Sequence, residues 1–195
     1  EFTPENISKQ FPLVLEKIAE DFKEIEENLS NYLTHNHLTW DKVINPLNEV
    51  NEILRWSWGV ISHLNAVNNS ESLRDIYSKF LPEIISLSNK FGQSKIIYNS
   101  LVKLKERNNF DQIKNRILEK EILEMQHRGI SLLKNDQEEF NNISEKLGKL
   151  TTDFSNNVLD ATNHWFLILN KKSEVDGLPE RVLEMMAISA HNHLK

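Results

Sequence analysis

The side chains of this sequence best suited to metal or proton chemistry are its seven histidines: His35, His37, His63, His127, His164, His191 and His193. A helical His-Glu-x-x-His would set two imidazoles on one face with a carboxylate as base. No histidine here is followed by glutamate, so that arrangement does not occur in these 195 residues. His35-x-His37 and His191-x-His193 have the one-residue gap that chelates metal from an extended chain; a surface loop and a tail pair are the expected readings. Glu124-x-x-His127 matches the element repeated in di-iron helical bundles, where positions i and i+3 share a face. That chemistry needs a second copy and two inward glutamates, and this is the single copy. An exposed helix pair is therefore expected, with a metal-binding bundle as the competing reading. Asp160 and His164 stand at i and i+4, a spacing that serves a ligand pair or a structural hydrogen bond at a helix end, and the second is expected.

Other chemistries find less. With no cysteine, a disulfide framework, a thiolate zinc site, an iron–sulfur cluster and a cysteine nucleophile are excluded. There is no Gly-x-Gly-x-x-Gly, no phosphate-binding Gly-Lys-Ser/Thr loop and no Gly-x-Ser-x-Gly elbow. Trp40, Trp56, Trp58 and Trp165 could stack on a peptide or a base, yet their helical surroundings favour a core or interface role.

The elements that must position these residues read as helices. Phe11, Leu15, Ile18, Phe22, Ile25, Leu29 and Tyr32 recur at steps of four and three. With Pro12 taken as a start signal, they predict a helix over 11–33 and a loop at Thr34-His35-Asn36-His37. Thr39 offers a cap for a second helix carrying Val43, Leu47, Val50, Leu54, Ile61 and Leu64, kinked near Pro46. Ser70 caps a third, with Ile76, Phe80, Ile84 and Leu87 on one face, a kink at Pro82 and an end at Gly92. A short helix bears Ile97, Leu101 and Leu104, and another spans 111–128. Asn135 with Glu138 predicts a capping box opening a long helix through Phe140, Ile143, Leu147, Leu150, Phe154 and Val158. Residues 164–169 are aromatic and β-branched enough for a short strand, with a buried helix end as the alternative. Asp176-Gly177 is a turn, and Pro179 stands as the first residue of a last helix.

Composition agrees. Five glycines and five prolines in 195 residues fall well below the roughly 12% of average usage, too few for the many tight turns of a sandwich or barrel. The expected fold is an all-α array of long, partly kinked antiparallel helices. Against 29 acidic residues stand 23 lysines and arginines, for a net charge of −6, which argues against non-specific nucleic-acid binding. The longest apolar run, Trp165-Phe166-Leu167-Ile168-Leu169, is far short of the ~20 residues that span a bilayer. The opening residues carry no basic and apolar leader pattern, and a soluble, cytoplasmic protein without nucleic-acid or membrane partners is expected.

Five separated segments carry a resemblance. Trp40-Asp41-Lys42-Val43-Ile44-Asn45-Pro46-Leu47 is followed by Trp56-Ser57-Trp58-Gly59-Val60-Ile61-Ser62-His63-Leu64-Asn65-Ala66-Val67. Leu81-Pro82 opens the next amphipathic stretch. Phe154-Ser155-Asn156-Asn157-Val158-Leu159-Asp160-Ala161-Thr162 precedes Gly177-Leu178-Pro179-Glu180. In order and spacing these resemble the amino-terminal region of the thimet oligopeptidase, neurolysin and oligopeptidase A family of zinc metallopeptidases, from about residue 7 to the last helix.

The resemblance implies a zinc enzyme that cleaves short peptides in a deep channel. Its zinc ligands and general base lie on a His-Glu-x-x-His helix of the carboxy-terminal half, where zinc-bound water attacks the scissile carbonyl. None of those residues matches a position of this sequence, so no catalytic or metal residue carries over. The chain is expected to be the amino-terminal, non-catalytic part of such an enzyme, with residues 1–169 as a helical channel wall and 170–195 as the start of the following segment, cut before the catalytic half. The expected partners are that half and short peptide substrates. Asn156, Asn157 and Asp160 carry the densest match and are expected to cap and bond between helices, and His63 and Asn65 to order the end of the second helix, with contact to peptide substrate as the alternative for both groups. Trp165, Phe166, Ile168, Val182 and Met186 are the candidate interface with the catalytic half, and self-association through them is expected if that half is missing. A free-standing helical interaction module without peptidase activity is the competing reading.

Overall fold

The computed structural model describes residues 2–107 and 109–193, with His193 by its backbone alone. Among them are seven α-helices: α1 (Pro4–His35), α2 (Trp40–Val67), α3 (Glu71–Gly92), α4 (Lys95–Arg107), α5 (Gln112–His127), α6 (Lys134–His164) and α7 (Glu180–His193), with a 3-10 turn at Lys172–Glu174. The expected all-α array of long helices is what the chain forms. It divides into two compact units, residues 1–152 and 153–195.

In the first unit α1 is the spine. It packs on α2, α3 and α4, and its face of Ile7, Phe11, Leu15, Ile18, Phe22, Ile25 and Leu29 is buried along its whole length. Two apolar clusters result. In one, Ile18, Phe22 and Leu29 meet Val43 and Val50 of α2, Leu101 and Leu104 of α4 and Leu118 of α5. In the other, Ile7, Phe11 and Leu15 meet Ile61 of α2 and Ile76, Phe80 and Ile84 of α3. Rings set the geometry of both: Phe22 stacks on Phe91 with centroids 4.1 Å apart, while Trp58 stacks between Phe11 at 5.7 Å and Tyr77 at 4.8 Å. Ser94 opens α4 by accepting from the Ile97 N–H at 3.3 Å, and its own hydroxyl donates to Glu26 of α1 at 2.5 Å.

Several boundaries differ from the sequence expectation. α1 begins at Pro4, capped by the Thr3 hydroxyl on the Asn6 N–H at 3.3 Å, so Pro12 lies inside the helix and not at its start. Pro12 forfeits one backbone bond, a cost of about 3 kcal/mol. Burial of Ile7 and Phe11 offsets it at about 1.5–3 kcal/mol each. The helix also runs two residues further, through His35, and stops where Asn36 takes a left-handed φ of 61° and donates to the Tyr32 carbonyl. The expected loop over 34–37 is thus shorter. α2 and α3 continue through Pro46 and Pro82.

α6 starts at Lys134, and the Leu133 carbonyl accepts from the Gln137 N–H at 2.8 Å. Asn135 is therefore already inside the helix and does not cap it. The first unit holds α6 through side chains: Gln93 Nε2 donates to Asn141 Oδ1 at 2.8 Å, and Gln137 Nε2 donates to the Gly129 carbonyl at 2.9 Å.

The second unit contains the end of α6, an extended segment over 165–170, the 3-10 turn and α7. No strand forms over 164–169. His164 closes α6, and the residues after it have no backbone neighbour to complete a ladder among the described residues. Gly177 supplies the turn with a φ of 83°, where a side chain would be strained. α7 starts at Glu180, with the Pro179 carbonyl accepting from the Val182 and Leu183 N–H groups, so Pro179 precedes the helix and is not its first residue.

Candidate functional site

The titratable candidates are dispersed. Glu124 and His127 both lie exposed on α5, and Glu124 pairs with Arg128 at 3.5 Å. Among the described residues no three His, Cys, Asp or Glu side chains gather to hold a metal ion. His35 sits in the last turn of α1 with Nδ1 3.0 Å from the Asn31 carbonyl. His37 lies beyond the left-handed cap, where its backbone N–H donates to the Tyr32 carbonyl. His191 is exposed, and the His193 side chain falls outside the described residues. His164 Nδ1 stands 2.7 Å from the backbone carbonyl of Asp160, which ties the ring to the helix end.

Of the residues quoted for the resemblance, Asn156 and Asp160 are half-buried on α6 and Asn157 is exposed. His63 is exposed and Asn65 half-buried near the end of α2. The Asn65 carbonyl accepts from Asn69 Nδ2 at 2.9 Å, and Asn69 Oδ1 accepts from Arg74 Nε at 2.6 Å. That chain of bonds joins the end of α2 to the start of α3.

The tryptophans separate into two kinds. Trp58 stacks within the first unit's core, and Trp40 meets Phe110 edge-on at 5.6 Å. Trp56 and Trp165 are 63% and 73% exposed. In the second unit Trp165, Phe166, Ile168 and Met186 line one cleft of about 440 Å³. Val182 lies outside that lining and is exposed, as are Trp165, Phe166 and Ile168, while Met186 is half-buried.

The first unit has two concave features worth chemical attention. Among α1 to α5 is a cleft of about 290 Å³ whose apolar lining is joined by Asn48, Asn51, Ser88, Glu121, Glu124 and Arg128. Partial withdrawal from water raises the Glu121 carboxyl above its ordinary value; the neighbouring Glu124 charge adds to the shift and Lys120 opposes it. Between α1 and α2 is a groove of about 1090 Å³ with Ile7, Phe11 and Ile61 at its floor and Glu49, Ile53 and Trp56 along α2. The composition of α2 does carry a signal for this groove: Glu49, Ile53, Trp56 and Val60 repeat at steps of four and three, a second stripe offset from the core stripe.

Comparison with known proteins fits this architecture. The family described as Neurolysin/Thimet oligopeptidase, N-terminal domain, matches residues 11–138, which cover α2 to α5 and most of α1. Oligopeptidase A of Haemophilus influenzae is 34% identical over 181 residues, 91% of this chain and 26% of that protein. Probable cytosolic oligopeptidase A of Arabidopsis thaliana is 36% identical over 155 residues, 78% of this chain and 22% of that protein. The organellar oligopeptidase A of the same plant, chloroplastic/mitochondrial, is 33% identical over 180 residues, 91% of this chain and 22% of that protein. The chain spans about a quarter of the length of these curated relatives. By the extent of the family match and by these identities, the chain belongs to the neurolysin/thimet oligopeptidase family and carries its N-terminal domain.

Proposed function

We propose that this chain is the non-catalytic N-terminal part of a zinc-dependent oligopeptidase that hydrolyses short peptides, with residues 1–169 as a wall of the substrate channel and 170–195 as the start of the next segment. The observation that carries the reading is the asymmetry of coverage: 91% of this chain aligns with only 26% of the Haemophilus influenzae oligopeptidase A. The described residues do not fit a zinc site, since no suitable cluster of ligands exists among them. The reading therefore assigns metal and chemistry to the part of the longer protein outside this chain.

The remaining apolar surface supports a packing partner of that kind. Trp165, Phe166, Ile168 and Val182 are 37–73% exposed, and patches of this sort mark interaction sites. We assign them, with Met186, to contact with the catalytic half, and assign self-association of the isolated chain to the same surface. No described helix is long and apolar enough to cross a membrane. A cysteine-free chain suits a reducing compartment, and the cytoplasm is the compartment of this proposal.

The test compares the 195-residue chain with the same chain extended to the length of its relatives, using quenched fluorescent peptides with and without a zinc chelator. The expected result is hydrolysis by the extended protein alone, abolished by chelation and restored by zinc. Cleavage by the short chain, or chelator-resistant cleavage by the long one, overturns the assignment. A reading frame without a downstream metal motif would move the chain to the class of helical interaction modules.

A further inference from the structure

The groove between α1 and α2 has no part in the reading above. Its floor residues Ile7, Phe11 and Ile61 are 1–4% exposed, while Ile53 and Trp56 beside them remain 41% and 63% exposed. At about 1090 Å³ it lies just above the range of ligand-sized pockets, roughly 300–1,000 Å³.

Three features define what fits. The floor is apolar, so an occupant gains by burying aliphatic or aromatic side chains there. Trp56 is fixed in advance: its indole N–H donates to Glu52 Oε1 at 3.3 Å, and the Arg55 guanidinium lies 5.3 Å from its ring centroid. A side chain already held loses little freedom on binding. The charge on the groove is of one sign, for Glu49 and Glu52 line it and no lysine, arginine or histidine does among the described residues. Glu52 shares its charge with Arg55 at 3.2 Å, which leaves Glu49 to set the sign.

The geometry points to this groove as a docking site for a peptide segment that lays apolar side chains against Ile53 and Trp56 and sets a lysine or arginine beside Glu49. Charge complementarity selects this occupant. A second copy of the chain would bring Glu49 against a molecule of net charge −6, and an acidic peptide would meet the same repulsion. The choice of a peptide as ligand rests on the function proposed above, but binding is scored without turnover, so failure of the groove and failure of the peptidase assignment are separate results.

The experiment is an anisotropy titration of the 195-residue chain against a labelled decapeptide of leucine, phenylalanine and lysine, beside the same peptide with glutamate for lysine. The lysine peptide is expected to bind saturably and the glutamate peptide at least about tenfold more weakly. Trp56→Ala should weaken the lysine peptide about tenfold, and Glu49→Lys should remove the preference between the two peptides. Both sites are exposed, and thermal melts by circular dichroism check that each variant is folded. Absence of saturable binding, equal affinity for both peptides, or indifference to both substitutions overturns the proposal. So does a concentration-dependent association of the wild type that Trp56→Ala abolishes, since the occupant is then a second copy.

Discussion

α1 and α6 are nearly the same length, 32 and 31 residues, and carry apolar stripes of the same period. Along α1 seven stripe residues are buried; along α6 none is. Ile143, Leu147, Leu150, Phe154 and Val158 are 49–70% exposed, although their spacing matches that of Ile18, Phe22, Ile25 and Leu29. The difference lies in the surroundings. α1 has α2, α3 and α4 packed on it, while α6 makes no comparable backbone approach to another helix and is held in the first unit by Gln93, Asn141 and Gln137. Amphipathic periodicity establishes which residues share a face; whether that face is covered depends on what else is present.

The largest expected effect tests this contrast with one residue type. Phe22 is 1% exposed and stacked on Phe91, so Phe22→Ala should cost about 3–5 kcal/mol, a large part of the ~5–15 kcal/mol that holds a domain together. Phe154, 70% exposed, should tolerate alanine within about 0.5 kcal/mol. Urea unfolding midpoints of the two variants measure both. A cost above about 2 kcal/mol at Phe154 would mean that the α6 stripe is covered in solution, and the contrast would fail.

The same contrast explains what the sequence made legible. The stripes of α1 to α4 lead directly to the two core clusters, because Phe22, Val43, Ile76 and Leu101 recur at helical spacing and find partners at helical spacing. Pro12 misled the start of α1: a proline rule local to one turn was outweighed by the burial of Ile7 and Phe11 around it. Residues 164–169 misled because aromatic and β-branched content records fitness for a strand but not the presence of a neighbour to pair with. On α5, Glu124 and His127 share a face as their spacing requires, and Glu124 pairs with Arg128 at the i, i+4 spacing that favours such an ion pair. The groove beside Trp56 was half-legible, since Ile53, Trp56 and Val60 form a stripe, whereas the width between α1 and α2 is a property of packing alone.

If the exposed face of α6 is a contact surface, the isolated chain should associate through its apolar surfaces. Leu150→Asp on α6 and Trp165→Asp in the second unit separate the contributions. Sedimentation velocity of the wild type should show a concentration-dependent rise. The variant that strikes the dominant surface should raise the dimer dissociation constant at least about tenfold, or about 1.4 kcal/mol. A wild type that stays monomeric at high concentration would leave the stripe solvated and weaken its reading as an interface.

A smaller effect is expected where α6 begins. α1 opens with the Thr3 cap, but the equivalent position before α6 is Leu133, 76% exposed and unable to cap. Leu133→Ser should stabilise the helix start by about 0.5–1 kcal/mol. Serine is the better choice over aspartate because Asp136, Glu138 and Glu139 already crowd the first turns with negative charge. Hydrogen exchange of the first α6 amides measures the gain, and unchanged protection would show that the start of α6 is fixed by Gln137 and its bond to Gly129 alone.

The finest comparison is at Gly148, in the middle of α6. A Cβ added there would lie 2.4 Å from Ile85 Cδ1 of α3, with the next atom, Ile85 Cγ1, at 3.7 Å. One terminal methyl is therefore the whole obstacle, and it belongs to a half-buried side chain that can swing it aside by rotation about its Cβ–Cγ1 bond. Replacing glycine by alanine inside a helix gains about 1 kcal/mol, while shifting that methyl off its preferred rotamer costs about 0.5–1.5 kcal/mol. If α6 rests on α3 as loosely as its unburied stripe implies, the helix can also draw back slightly and relieve the contact. Gly148→Ala should then change the unfolding free energy by less than about 0.5 kcal/mol. A loss of 2 kcal/mol or more in urea unfolding would mean that α6 is seated on Ile85 as firmly as α1 is seated on its neighbours, and the distinction between the two helices would have to rest on their exposed residues alone.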